Sequence, residues 1–324
     1  MLEVVLVHVR VHRHAREGEG IRIKLLLQVD TLCHRIPNFI EKAARAGCTA
    51  AFIGLENINP ESLMGTKKRQ NKIWEYREML QAWRRAKVMT YAGYILGFPT
   101  DTPESIARDI DIIKKELPID ILEFFFLTPL PGSEDHKNLF LRGIAMDPDL
   151  NKYDLEHACT AHPLMSKAEW EGVYRDAWSR YYSDAHVETI MRRAVASGLN
   201  RAKMVDALIG FSGASRIEGV HPLQFGLFRR KMRTQRRYGL PVVNPLIFYP
   251  WRAVDSLKVV LQWLRLVRRY RRLMARIVAD PAARDYTDDA LHRLGGNEAD
   301  QFVEAFADKI PNTYGAPPKR VAVS

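Results

Sequence analysis

Cysteine is scarce in this sequence: Cys33, Cys48 and Cys159 are the three in 324 residues. Three scattered thiols exclude a disulfide-stapled secreted scaffold. They also exclude a self-contained four-cysteine zinc or iron–sulfur site. No run of 18 or more uncharged apolar residues occurs, so no membrane-spanning helix is expected. The opening MLEVVLVHVRVHRHAREGEG is apolar first and basic later, the reverse order of a secretory signal, and has no small-residue cleavage site. A cytoplasmic protein is the expectation. No repeat with a period of 20–50 residues and no low-complexity tract is seen.

What is present is globular: 47% of residues are hydrophobic, which argues against wholesale disorder. The length suits one large domain or a domain with an appendage. Against 38 Asp+Glu stand 49 Lys+Arg, a net charge of +11 that permits an anionic partner without naming it.

Short apolar runs alternate with helical patterns. Leu2–Val11 and Ile21–Val29 read as strands separated by Gly18-Glu19-Gly20. Residues 36–47 read as a helix opened by Pro37 and stopped by Gly47. Thr49–Gly54, Val88–Leu96 and Asp120–Leu127 are further strands. Between them lie a helical segment in 60–87, with Ile73, Tyr76, Met79, Leu80 and Trp83 on one face, and a helix over 103–116 capped by Thr102. Strand–helix alternation at this spacing predicts βα units and a parallel sheet. Beyond about residue 145 the pattern turns helical, at 166–196 (with a Ser166/Glu169 capping box), 199–213 and 251–278. A Pro- and Arg-rich connector, 219–250, precedes the last of these, and 296–324 reads as a fraying tail.

In parallel α/β folds, sites gather where strands end. The ends here offer Gln28, Asp30 and Thr31; Gly54, Glu56 and Asn57; Gly93, Gly97, Pro99, Thr100 and Asp101; and Thr128, Pro129, Pro131, Gly132 and Ser133. Glycines allow close backbone approach to a ligand, and carboxylates accept from ribose hydroxyls or an amino group. GLENINPESLMGTKKRQ (54–70), GYILGFPTDTPESI (93–106) and FFFLTPLPGSED (124–135) resemble, in order and spacing, the second half of a radical S-adenosylmethionine enzyme. The sub-family suggested couples that barrel to a cobalamin-binding domain, and the match covers roughly residues 21–190.

The resemblance implies an α/β fold: a partial (β/α) radical-S-adenosylmethionine-type barrel, strands three to six, over 21–145, then a helical C-terminal extension over 146–295. Residues 1–20 do not resemble the family. An open edge on strand three would follow, which the run at 2–11 is placed to cover. It further implies that Gly93, Ile95, Gly97 and Asp101 support the adenine of S-adenosylmethionine, that Glu56 reaches toward the cofactor, that Thr128 lines the same side, and that Gln28 and Asp30 face the barrel mouth. The parent activity implied is reductive cleavage of S-adenosylmethionine at a [4Fe–4S] cluster, for radical modification of a small-molecule or lipid-like substrate, with cobalamin-dependent C-methylation the natural outcome.

The family's CxxxCxxC loop and strand-two GGE-type motif are absent, and Cys33 and Cys48 stand fifteen residues apart on a different βα unit. A chain truncated relative to its parent and inactive alone is therefore expected, completed by a missing N-terminal half or a separate chain. The alternative is a non-catalytic remnant or binding module. His8, His12 and His14 cluster without supporting thiols, and His34, His136, His157, His162 and His186 are scattered. Trp170, Tyr174, Trp178, Tyr181 and Tyr182 have helical spacing and read as packing residues. One Arg cluster lies at 229–237 and a second, at 265–276, is on the amphipathic helix over 251–278, whose apolar side carries Val254, Leu257, Leu261, Leu264, Val267, Met274 and Ile277. Such a helix fits packing against protein or peripheral contact with an anionic membrane at its inner face. No recognised nucleic-acid module is present.

Overall fold

Four apolar runs form one parallel sheet, in the computed structural model of the chain, which describes residues 24–58, 73–154, 156–226, 232–234 and 239–292. The strands are β1 (Leu25–Val29), β2 (Cys48–Glu56), β3 (Met89–Leu96) and β4 (Ile121–Phe126), in the order β1-β2-β3-β4. Helices α1 (Phe39–Ala46), α2 (Ile73–Arg85) and α3 (Pro103–Glu116) connect them. The expected run at 2–11 and the segment 59–72 lie outside the described residues. The polypeptide divides into two units, 1–291 and 292–324, and the second lies outside the described residues except for His292.

Side-chain alternation sorts the sheet into two faces. Leu27, Val29, Ala51, Ile53, Leu55, Ala92, Tyr94, Leu96, Leu122, Phe124 and Phe126 are buried in the main core. Tyr76, Met79, Leu80 and Trp83 of α2 join them as the helical spacing predicts. The other face carries Gln28, Phe52, Tyr91 and Ile121 in register, and it is open at β1, where Leu26 is 64% exposed.

Thr102 caps α3 in a reciprocal box with Ser105, and Pro103 opens the helix. The helix expected at 36–47 is confined to Phe39–Ala46, because Cys33–Arg35 forms a separate 3₁₀ turn and Asn38 takes a left-handed φ of 57°. Gly47, at φ 104°, ends it as expected.

Beyond β4 come α4 (Glu134–Leu141), α5 (Lys167–Tyr181), α6 (Asp184–Ala196), α7 (Arg201–Gly213) and α8 (Pro245–Ala279). The Ser166/Glu169 capping box of α5 is present. The single helix expected at 166–196 is two. Tyr182, at the break, gives its hydroxyl to the Leu122 carbonyl (2.9 Å) and accepts from the Leu122 N–H (3.2 Å). Tyr181 donates to the Ile119 carbonyl at 3.0 Å. Bonding to the sheet outweighs helix continuity there. Trp170, Tyr174, Trp178, Tyr181 and Tyr182 are all buried. The helix expected from 251 begins at Pro245 instead, because Asn244 caps it and proline is preorganised at a first turn.

At the amino ends of the strands a buried clip joins sheet and helices. Arg84 Nη2 meets Asp120 Oδ1 at 2.5 Å and the Pro118 carbonyl at 3.2 Å, and Nη1 reaches the Arg193 carbonyl at 3.0 Å. Asp120 Oδ2 accepts from Thr90 N and Oγ1 at 2.9 and 3.1 Å. Arg77 pairs with Glu116 in a second buried bridge.

Candidate functional site

The carboxyl ends of β1–β4 lie along one edge of the sheet because all four strands run parallel. Gln28 and Asp30 are exposed there, and Asp30 Oδ1 accepts from the Leu32 N–H at 2.7 Å, an Asx turn that turns the chain away from β1. Glu56 ends β2 just past a register shift, half-buried, with a left-handed φ of 62°. Ile95 is half-buried opposite Phe125, and Thr128 donates to the Phe126 carbonyl at 3.3 Å.

The remaining expected site residues are turned inward. A Cβ on Gly93 would stand 3.0 Å from Phe125 Cε2 and 3.2 Å from Phe52 Cζ, so two rings close over β3 at that point. Gly97 has φ 99°, and its missing side chain is replaced by the Trp170 indole, whose Cζ2 would lie 2.0 Å from a Cβ. The Trp170 Nε1–H reaches the Leu96 carbonyl at 3.3 Å. Asp101 is 1% exposed and accepts from the N–H groups of Gly97 and Phe98, both at 2.9 Å. Gly97 and Asp101 thus form one tight turn sealed by Trp170. His162 Nε2 lies 2.8 Å from the Phe98 carbonyl while Nδ1 accepts from Leu164 and Met165 N–H at 3.1 Å, which ties the ring to the same turn. Ligand-accessible positions among those expected are therefore Gln28, Asp30, Glu56, Ile95 and Thr128.

Sequence reasoning missed Glu123. It sits mid-strand in β4, opposite Gly93, on the same face as Tyr91 and Phe125. It is 5% exposed, and among the described residues no hydrogen bond or ion pair reaches it. Burial raises its carboxyl to about 7. Tyr91 is pushed up to about 12, chiefly by burial and then by Asp120 and Glu123. His221 covers Phe125, ring centres 5.2 Å apart, and packs edge-on to Trp178 at 5.6 Å. Its Nε2 is buried with no hydrogen-bond partner among the described residues, and desolvation lowers it to about 4. The signal for Glu123 was one carboxylate inside the run ILEFFF.

A sign follows for Glu123. Its folded value of about 7 lies above the unfolded 4.5, so the native state holds a proton that the unfolded chain has released between those values. Stability contributed by this group falls as pH rises across that window and is flat outside it. Glu123→Gln should therefore be nearly neutral at pH 4 and stabilising by about 3 kcal/mol at pH 8. Urea denaturation at both pH values checks this; equal differences at the two would contradict an unpartnered buried carboxyl.

The three thiols do not suit an iron–sulfur cluster. Cys48 is in register with Leu25 at the amino end of β1, whereas Cys33 lies in the 3₁₀ turn that follows its carboxyl end. Cys48 Sγ–H donates to the Ala50 carbonyl at 3.2 Å and Cys159 Sγ–H to the Lys152 carbonyl at 2.8 Å. Burial raises Cys33 to about 12 and Cys48 and Cys159 to about 11, against the thiolate a cluster requires.

No known family profile matches the chain. Over 121 residues, 37% of the chain, it is 31% identical to the bacteriochlorophyllide d C-12(1)-methyltransferase of Chlorobaculum tepidum, covering 26% of that protein. Over 182 residues, 54% of the chain, it is 24% identical to an uncharacterised methyltransferase of Pyrococcus horikoshii, covering 35% of it. The chain thus spans well under half the length of these relatives. Among solved structures, the radical S-adenosylmethionine methyltransferase TsrM of Kitasatospora setae, with cobalamin and a [4Fe–4S] cluster bound, aligns over 36% of this chain and 22% of that one, at 20% identity and a TM-score of 0.32. OxsB, a cobalamin-dependent S-adenosylmethionine radical enzyme with aqua-cobalamin bound, aligns over 91% of this chain and 48% of that one, at 11% identity and a TM-score of 0.36. The likeness in sequence is to methyltransferases.

Proposed function

We propose that the α/β part of this chain is the adenosyl-binding portion, strands three to six, of a radical S-adenosylmethionine methyltransferase-type barrel. The observation that carries the reading is the 31% identity over 121 residues with a methyltransferase. The three strand-end segments at 54–70, 93–106 and 124–135 support it.

The donor set at the exposed edge fits the nucleoside end of that molecule. Asp30 and Glu56 accept from ribose hydroxyls or the amino group, Ile95 offers an apolar contact for the adenine, and Thr128 lines the approach. Asp101 and Trp170 act one step back, holding the Gly97-Phe98 turn rigid. When bound, S-adenosylmethionine supplies the group to be transferred; these residues would orient it. The thiols of this chain do not fit a [4Fe–4S] cluster, so no reductive step is assigned to them. Thiolates from polypeptide other than this chain, and cobalamin in the same assembly, belong to the same reading. The second reading, a binding module with no chemistry of its own, is favoured by the separation of Cys33 from Cys48.

Titration calorimetry of the full chain with S-adenosylhomocysteine tests the binding claim. Asp30→Ala with Glu56→Ala should weaken binding about 100-fold or more, since each hydrogen bond to a charged group contributes about 1.5–3 kcal/mol. Affinity unchanged in the double variant would remove the assigned roles.

A further inference from the structure

Helix α8 is half packed and half bare. Trp263, Leu266, Tyr270, Leu273, Met274 and Ile277 are buried in the core, but of the residues before Trp263 only Phe248 is. Leu246 is 82% exposed, Leu264 59%, Leu257 58%, and Trp251 and Val254 54%. The apolar side read from the sequence is thus only partly a packing face: Val254, Leu257, Leu261 and Leu264 face solvent. Positions 247, 251, 254, 257, 261 and 264 recur at three and four residues, one continuous stripe. A monomeric protein rarely leaves so long an apolar row uncovered.

The same row continues as charge. Arg265, Arg268, Arg272 and Arg276 follow at the same spacing, all exposed. No hydrogen bond or ion pair holds any of these four among the described residues, whereas the adjacent Arg269 pairs with Asp184. The 35 residues of α8 hold one acidic side chain, Asp255, itself 2.5 Å from Arg252. No helix among the described residues is long and apolar enough to cross a bilayer.

We propose that α8 docks this chain on an anionic lipid bilayer, lying in the plane of the headgroups. Leu257, Leu261, Leu264 and Val254 enter the acyl boundary, Trp251 sits at the interface, and the four arginines meet lipid phosphates. A protein partner could cover the apolar row alone, but it would have to supply acidic groups for a row of unpaired arginines in the same line. An anionic membrane satisfies both from one surface.

Vesicle flotation of the full chain tests this. Binding is expected to phosphatidylcholine vesicles containing about one third phosphatidylglycerol, on the order of tenfold or more tighter than to phosphatidylcholine alone. The triple variant Arg265→Gln, Arg268→Gln, Arg272→Gln should partition on the order of 100-fold more weakly. Leu257→Gln with Leu261→Gln should also release the chain. All five positions are exposed, and an unchanged melting curve confirms the fold of each variant. No flotation, equal binding to neutral vesicles, or a triple variant that floats like the parent would overturn the proposal. So would a dimer by light scattering that the Leu257/Leu261 variant dissociates while no vesicle binds.

Discussion

Gly97→Ala is expected to destabilise the fold by about 3–5 kcal/mol, the range of a core substitution that displaces a large aromatic. Two costs add. An L-residue at φ 99° is strained. The new Cβ also stands 2.0 Å from Trp170 Cζ2 and 2.4 Å from Nε1, so the indole must leave. Leaving breaks its bond to Leu96 and its packing on Phe126 and His162, whose ring centres are 5.4 and 5.1 Å away. The two costs separate in a cycle with Trp170→Leu. The smaller side chain should recover the clash but not the backbone strain, giving a coupling of about 1–3 kcal/mol. Urea denaturation of the four proteins reads this; a loss below about 1 kcal/mol for Gly97→Ala would place the indole elsewhere.

Asp120→Ala should cost about 3–5 kcal/mol, because it strands a buried guanidinium. The Arg84 side chain is 5% exposed and that of Asp120 1%. Removing the carboxylate also orphans the Thr90 N–H and hydroxyl that it accepts. The comparison that identifies the cause is Arg84→Met with Asp120→Ala. With no charge left to strand, the double variant should be less destabilised than Asp120→Ala alone. A double variant that falls by the sum of the singles would show that the two groups do not interact and would contradict a stranded charge as the cause.

The sheet was legible because its strands are buried runs punctuated by Gly and Pro, and the α2 face because Tyr76, Met79, Leu80 and Trp83 keep the helical period. Thr102 and Pro103 announced α3 locally. Long-range packing was not legible. Nothing near Gly97 says that an indole 73 residues later fills its side. Nothing near Tyr182 says that its hydroxyl bonds Leu122 and breaks a helix. The strand-end motifs do stand along the carboxyl edge of the sheet, but which of their residues stay open was not legible. Asp101 and Gly97 turn inward while Asp30 and Glu56 remain at the surface. Glu123 escaped notice because its burial on that face is a property of the assembled sheet, not of the run that contains it.

The most direct test of the account is photo-crosslinking of the full chain with radiolabelled S-adenosylmethionine, followed by peptide mapping. Label is expected on peptides holding Asp30, Glu56, Ile95 and Thr128, and excess S-adenosylhomocysteine should abolish it. Label confined to α8, or none at any concentration that saturates a known S-adenosylmethionine binder, would contradict an adenosyl site at the carboxyl ends of these strands.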